Sequence, residues 1–137
     1  MKDCFIIVLF VLSFFLISCH EAAENKGKIV DNKDIEYLNV ADSVALCQMS
    51  LGDKLRMIDV YKIAEHIDLN LVDSVYTLTL SLEDAKKMGV DKCHYKEVVT
   101  SLNQLNEWIA VYNRHHAPNE SLELTDFKQL IQERKNP

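Results

Sequence analysis

The chain has 137 residues, 48% hydrophobic and 26% charged, with 21 acidic against 15 basic side chains and a formal net charge of −6. That acidic balance argues against nucleic acid or an anionic lipid surface as the main partner, because both repel it. With only three glycines and two prolines, the chain lacks the turn punctuation of an all-β sandwich, and helices are favoured.

At the N-terminus, Met1, Lys2 and Asp3 precede an apolar run from Cys4 to Ile17, and the segment closes with Leu16-Ile17-Ser18-Cys19. As a helix the run spans roughly 21 Å, short of the roughly 30 Å hydrocarbon core of a bilayer. Small Ser18 before a cysteine, with leucine three residues before it, resembles the lipobox of a bacterial lipoprotein signal peptide. The resemblance implies removal of residues 1–18, a diacylglycerol thioether on Cys19, and slow release from a membrane through two or more acyl chains. An uncleaved anchor or an ordinary secretory signal is the alternative left open by the weak basic start. The residue after Cys19 is His20 rather than Asp, which is similar to outer-membrane lipoproteins of many Gram-negative cells. Glu21 and Glu24 loosely resemble acidic signals for surface export, so the periplasmic and outer faces are both open. Lys2 and Asp3 cancel, so the mature chain keeps its charge of −6. Residues 19–32 are polar and small and read as a flexible tether; residues 33–137 suffice for one domain.

From Lys33 to Leu51, Tyr37, Val40, Val44, Cys47 and Leu51 fall at helical spacing on one stripe, with Gly52 as a stop. Asp53 is then expected to cap a second helix running to about Asp68, and the two helices to pack as a hairpin. Val75 to Leu80 alternates and is β-branched, which favours a short strand, while the run from Leu69 also tolerates a helical reading. Such a strand needs a partner, expected near Leu122 to Leu124 or in another molecule. Ser81-Leu82-Glu83-Asp84 opens a short helix through Met88 that Gly89 closes. Asp91 caps a long helix to about Asn113, with Val98, Leu102, Leu105, Ile109 and Tyr112 on one face. Pro118 interrupts, and Thr125-Asp126 starts a last helix through Phe127, Leu130 and Ile131. The expected architecture is mostly α: a small bundle of four to five helices with one short strand or hairpin near residues 75–80.

Few residues carry a chemical signal. Cys47 and Cys93 are the only cysteines left once Cys4 is removed and Cys19 is lipidated. Outside the cytoplasm such a pair suggests a disulfide; the alternative is that Cys47 lies on the buried stripe and Cys93 is half-exposed at a helix start. Cys93, His94, His115 and His116 do not form a metal motif, because the two ends of one long helix hold them about 30 Å apart. There is no Gly-x-Ser-x-Gly and no phosphate-cradling glycine loop, so neither an enzyme nor a cofactor is expected. Asp42-Ser43-Val44 and Asp73-Ser74-Val75 resemble the Asp-Ser/Thr-aliphatic acceptor of an envelope O-glycosylation system of some gut Gram-negative bacteria, which would make Ser43 and Ser74 acceptors. Both serines equally suit turns or caps.

Two function classes follow. The first is a lipid-tethered cell-envelope protein with an interaction role, as accessory subunit, inhibitor or immunity-type binder, whose acidic surface suits a basic protein partner. The second is a small-ligand or carrier lipoprotein, which requires an apolar pocket with a few convergent polar groups.

Overall fold

The computed structural model describes residues 29–40, 47–117 and 122–135. In chain order these form a 3₁₀ segment (Asn32–Val40), α1 (Leu51–Ala64), β1 (Ile67–Asn70), β2 (Val75–Leu78), α2 (Leu82–Lys87), α3 (Lys92–His115) and α4 (Phe127–Lys135). The fold is small and mostly helical, with five helical elements and a two-stranded antiparallel hairpin among the described residues.

Four helix starts are set by side chains that accept the otherwise orphaned N–H groups, Asp126 Oδ1 taking Gln129 N at 3.1 Å at the start of α4. Ser50 Oγ accepts from Asp53 N at 3.1 Å, Ser81 Oγ from Asp84 N at 3.1 Å, and the Asp91 side chain from Cys93 N at 2.7 Å. The first of these corrects the sequence reading. Ser50, not Asp53, caps α1, and Gly52 sits inside the first turn rather than stopping a preceding helix. Over the stretch expected to form one helix, 33–51, a 3₁₀ segment covers Asn32–Val40, Cys47 and Gln48 are helical, and the chain leaves the helix at Met49 and Ser50. Leu51 is half exposed and Cys47 is exposed, so neither joins a buried stripe. Residues 41–46, including Val44, lie outside the described residues.

The end of α2 follows from Gly89 at φ +80, a left-handed conformation that suits glycine. Gly89 N–H bonds Lys86 C=O and Val90 N–H bonds Ala85 C=O, both at 3.0 Å. This is the paired bonding of a Schellman stop, with Val90 and Ala85 both buried beneath it.

The strand at Val75–Leu78 finds its partner in Ile67–Asn70, directly after α1, and not in Leu122–Leu124. The helix expected to reach Asp68 therefore ends at Ala64. Ile67-Asp68-Leu69-Asn70 alternates in phase with Val75-Tyr76-Thr77-Leu78, and the register opposes Ile67 to Leu78 and Leu69 to Tyr76. Those four turn inward, Ile67 and Tyr76 fully buried, while Asp68, Asn70, Val75 and Thr77 face out. His66 C=O closes the base by accepting from Thr79 N at 2.9 Å and Thr79 Oγ1 at 2.8 Å.

The core gathers Ile63 from α1, Ile67 and Tyr76 from the hairpin, Val98, Leu102 and Ile109 from α3, and Ile131 from α4. The Tyr76 ring packs 5.0 Å from Phe127, and its hydroxyl donates to Thr125 C=O at 2.8 Å, fastening α4 to the sheet. Among the described residues no helix is long and apolar enough to cross a membrane. Ile63 is fully buried at 0% exposure, so Ile63→Ala is expected to lower stability by about 2–5 kcal/mol through lost burial and an unfilled cavity. The urea unfolding midpoint of the variant measures it.

Candidate functional site

Charged side chains are the first place to look for chemistry. On α1, Arg56, Asp59, Lys62 and Glu65 recur every third residue and so form a row along one side of the helix. Each is matched by another element. Arg56 Nη2 lies 2.9 Å from Glu97 Oε2 on α3. That contact lacks hydrogen-bond alignment, and Arg56 Nε and both Glu97 oxygens have no aligned partner among the described residues. Asp59 accepts from Asp91 N at 3.0 Å and pairs with His94 Nδ1 at 2.7 Å. Lys62 Nζ reaches Asp34 at 2.8 Å and Met88 C=O at 3.2 Å.

Asp59 and His94 have the geometry of a carboxylate orienting an imidazole. No hydroxyl or thiol bonds to the other ring nitrogen among the described residues, and the pair acts as a tie between α1 and α3.

Glu65 closes the row in a cluster with the 3₁₀ segment and α4. Tyr37 Oη donates to Glu65 Oε2 at 2.6 Å, Lys135 Nζ lies 2.8 Å from both Glu65 and Glu36, and Lys135 also sits 4.1 Å over the Tyr37 ring. Burial first, then the hydrogen bond to Glu65 and its negative charge, push the Tyr37 phenol up from 10.0 to about 12. Burial alone would lower Lys135, but its bonds to Glu36 and Glu65 outweigh that and raise it above the usual lysine range.

The sequence-predicted residues fall elsewhere. Cys47 and Cys93, the pair expected to bridge, are both exposed, and both are free thiols in this structure. His115 and His116 end α3 far from His94. Among the described residues, no three His, Cys, Asp or Glu side chains gather as metal ligands. Cys19 and Ser43 lie outside the described residues. Ser74 is placed in the turn of the β-hairpin at φ 54, a left-handed conformation unusual for a residue with a side chain.

Two features missed by the sequence reading look outward. The first is the hairpin tip. Asn70 Oδ1 accepts from Val72 N at 3.0 Å, and its Nδ2 donates to Asp73 at 2.7 Å. This polar brace orders the turn while Leu71 and Val72 stand 74% and 91% exposed, with Val75 also exposed beside them. The second is a groove of about 300 Å³ between the free edge of β2 and α3, lined by Tyr76, Leu78, Tyr95, Val99, Leu102 and Asn103. At one end Asn106 on α3 accepts from Tyr76 N and donates to Tyr76 C=O, each at 2.8 Å. At the other end Tyr95 Oη donates to Leu80 C=O at 2.7 Å. Further along α3, Tyr112 stacks on His116 and meets Trp108 at a tilt, the three spaced four residues apart and Trp108 being 44% exposed. Only the alternation of Leu71-Val72 with polar turn formers hinted at the tip, and nothing local marks the groove, which exists only once β2 and α3 are adjacent.

Comparison with protein-family models, curated proteins and solved structures returns no significant match, and the functional reading rests on this geometry. For Tyr37 the sign of the pH dependence is fixed. The native phenol holds its proton where the unfolded one has lost it, so its contribution is fully present below pH 10.0 and disappears as pH rises through about 12. Tyr37→Phe is expected to cost about 1 kcal/mol at neutral pH and to flatten the alkaline decline. Urea midpoints taken across that pH range, alongside tyrosinate absorbance, check both effects.

Proposed function

We propose that this chain is a lipid-anchored cell-envelope protein that works by binding another protein, as an accessory subunit, inhibitor or immunity-type binder. One observation carries the binding half of the reading: an ordered turn that holds Leu71 and Val72 in solvent. Burying apolar side chains is the default outcome of folding. Here a brace of side-chain hydrogen bonds orders two apolar residues while leaving them wet, which suits an anchor that finishes its burial in a partner. Asp73 in the same turn and the net charge of −6 favour a partner with a basic rim around an apolar pocket.

The anchoring half rests on Leu16-Ile17-Ser18-Cys19 and its resemblance to a lipobox. Cys19 would carry the lipid, the segment after it would be the tether, and the outer membrane is the favoured address. The carrier alternative fits less well, because the groove beside β2 is open and lies at the surface rather than inside the bundle.

Cys19→Ala is expected to abolish detergent-phase partitioning and signal processing; retention of both overturns the anchor. Leu71→Lys combined with Val72→Lys is expected to remove a stoichiometric crosslinked partner from native cells while leaving the urea midpoint within about 0.5 kcal/mol of the parent, as for exposed sites generally. An unchanged crosslink overturns the role of the tip.

A further inference from the structure

The free edge of β2 is incomplete at one residue. Thr79 N bonds His66 C=O across the hairpin, while Tyr76 directs both its N–H and its C=O away from β1 to Asn106. Strand backbone groups alternate in direction, so Leu78, two residues beyond Tyr76, turns its N–H and C=O the same way, into the groove. Asn106 covers Tyr76 and Tyr95 covers Leu80. Among the described residues nothing bonds the outward pair of Leu78. Proteins normally cover or blunt such an edge.

What the edge accepts is visible next door. The Asn106 carboxamide offers one N–H and one C=O to a single strand residue, the same pair that a peptide backbone offers. A second copy of this chain does not fit, since its own β2 edge is backed by α3 and carries the same two side-chain covers. The wall opposite Leu78 is apolar at Val99 and Leu102. Lys96 lies seven residues before Asn103, hence on the same face of α3 about 10 Å away, with Lys92 one turn further. Both lysines are exposed and neither is ion-paired among the described residues.

We propose that this groove binds an extended segment of a partner protein: one residue pairs its backbone with Leu78, its apolar side chain lies on Val99 and Leu102, and an acidic neighbour points toward Lys96. This is strand addition at a sheet edge, in which backbone bonds supply affinity and alternate side chains supply selectivity. It rests on the reading of the chain as an interaction protein and names the chemistry of what it binds.

The test uses the ¹⁵N-labelled full chain in detergent micelles and a set of end-blocked tripeptides with Val, Leu or Phe at the centre and Glu on either side. The Leu78 backbone amide and the Asn103 side-chain amide are expected to shift progressively with at least one probe. Methylating that probe's central backbone nitrogen removes its donor and is expected to weaken binding by about tenfold, the worth of one good hydrogen bond. Lys96→Glu is expected to weaken it further. Leu78→Pro deletes the outward N–H without touching the hairpin ladder, a position where an edge strand tolerates proline, and is expected to abolish the shifts. Should that variant unfold, Val99→Trp, which fills the groove from the helix side, replaces it.

No shift at Leu78 with any probe up to about 1 mM, equal binding of the methylated probe, or binding that survives both variants overturns the proposal. So does slow exchange of the Leu78 amide before any probe is added, which would mean that the chain's own segment already fills the edge. Probe binding without any crosslinked partner in native cells removes the interaction reading and leaves the groove standing. A partner lost on mutating Leu71 and Val72, with Leu78 silent to every probe, does the reverse.

Discussion

The row of charges along α1 is the constraint on which the arrangement of the other elements depends. Arg56, Asp59, Lys62 and Glu65 face, in order, Glu97 and His94 on α3, Asp34 in the 3₁₀ segment, and Lys135 on α4. Asp59 and Lys62 are buried, and burying a charge without its partner costs several kcal/mol. Sliding α1 by one turn against any neighbour would put like charges together or leave one alone. Apolar packing around Ile58 and Ile63 supplies the driving force but tolerates many registers. The alternation of sign along the row selects one.

How the chain announces this fold depends on the range of the physics. Caps and stops are local, and Ser81, Gly89 and Asp91 were legible because each works on backbone groups within three or four residues. The amphipathic stripe Val98, Leu102, Ile109 was legible for the same reason. Around Gly52 a local rule misled: glycine reads as a stop, yet Ser50 two residues earlier supplies a stronger start signal and Gly52 is absorbed into the first turn. The partner of β2 was misplaced because Ile67-Asp68-Leu69-Asn70 follows a helix without punctuation. Its alternation gains meaning only when Tyr76 and Leu78 lie opposite.

The candidate site was less legible still. Asn106 on the long helix looks like an ordinary polar residue until it stands beside Tyr76, thirty positions earlier in the chain. A carboxamide that imitates a third strand has no signature in spacing or composition. The same holds for Leu78, whose open backbone pair is a property of its neighbours and not of leucine. By contrast, the histidines that drew notice in the sequence prove to be scattered, because one continuous helix separates His94 from His115.

The first and last described elements meet. Lys135, near the end of α4, holds Glu36 and covers the ring of Tyr37 in the opening 3₁₀ segment, and Glu65 at the foot of the hairpin joins both. Mechanically, the fold is a closed loop clasped at one pole. A pull applied at the opening segment is carried by that clasp into α4, and from α4 through Tyr76 and Thr125 into the hairpin. The strands that carry Leu71 and Val72 are thereby coupled to the opening segment through α4.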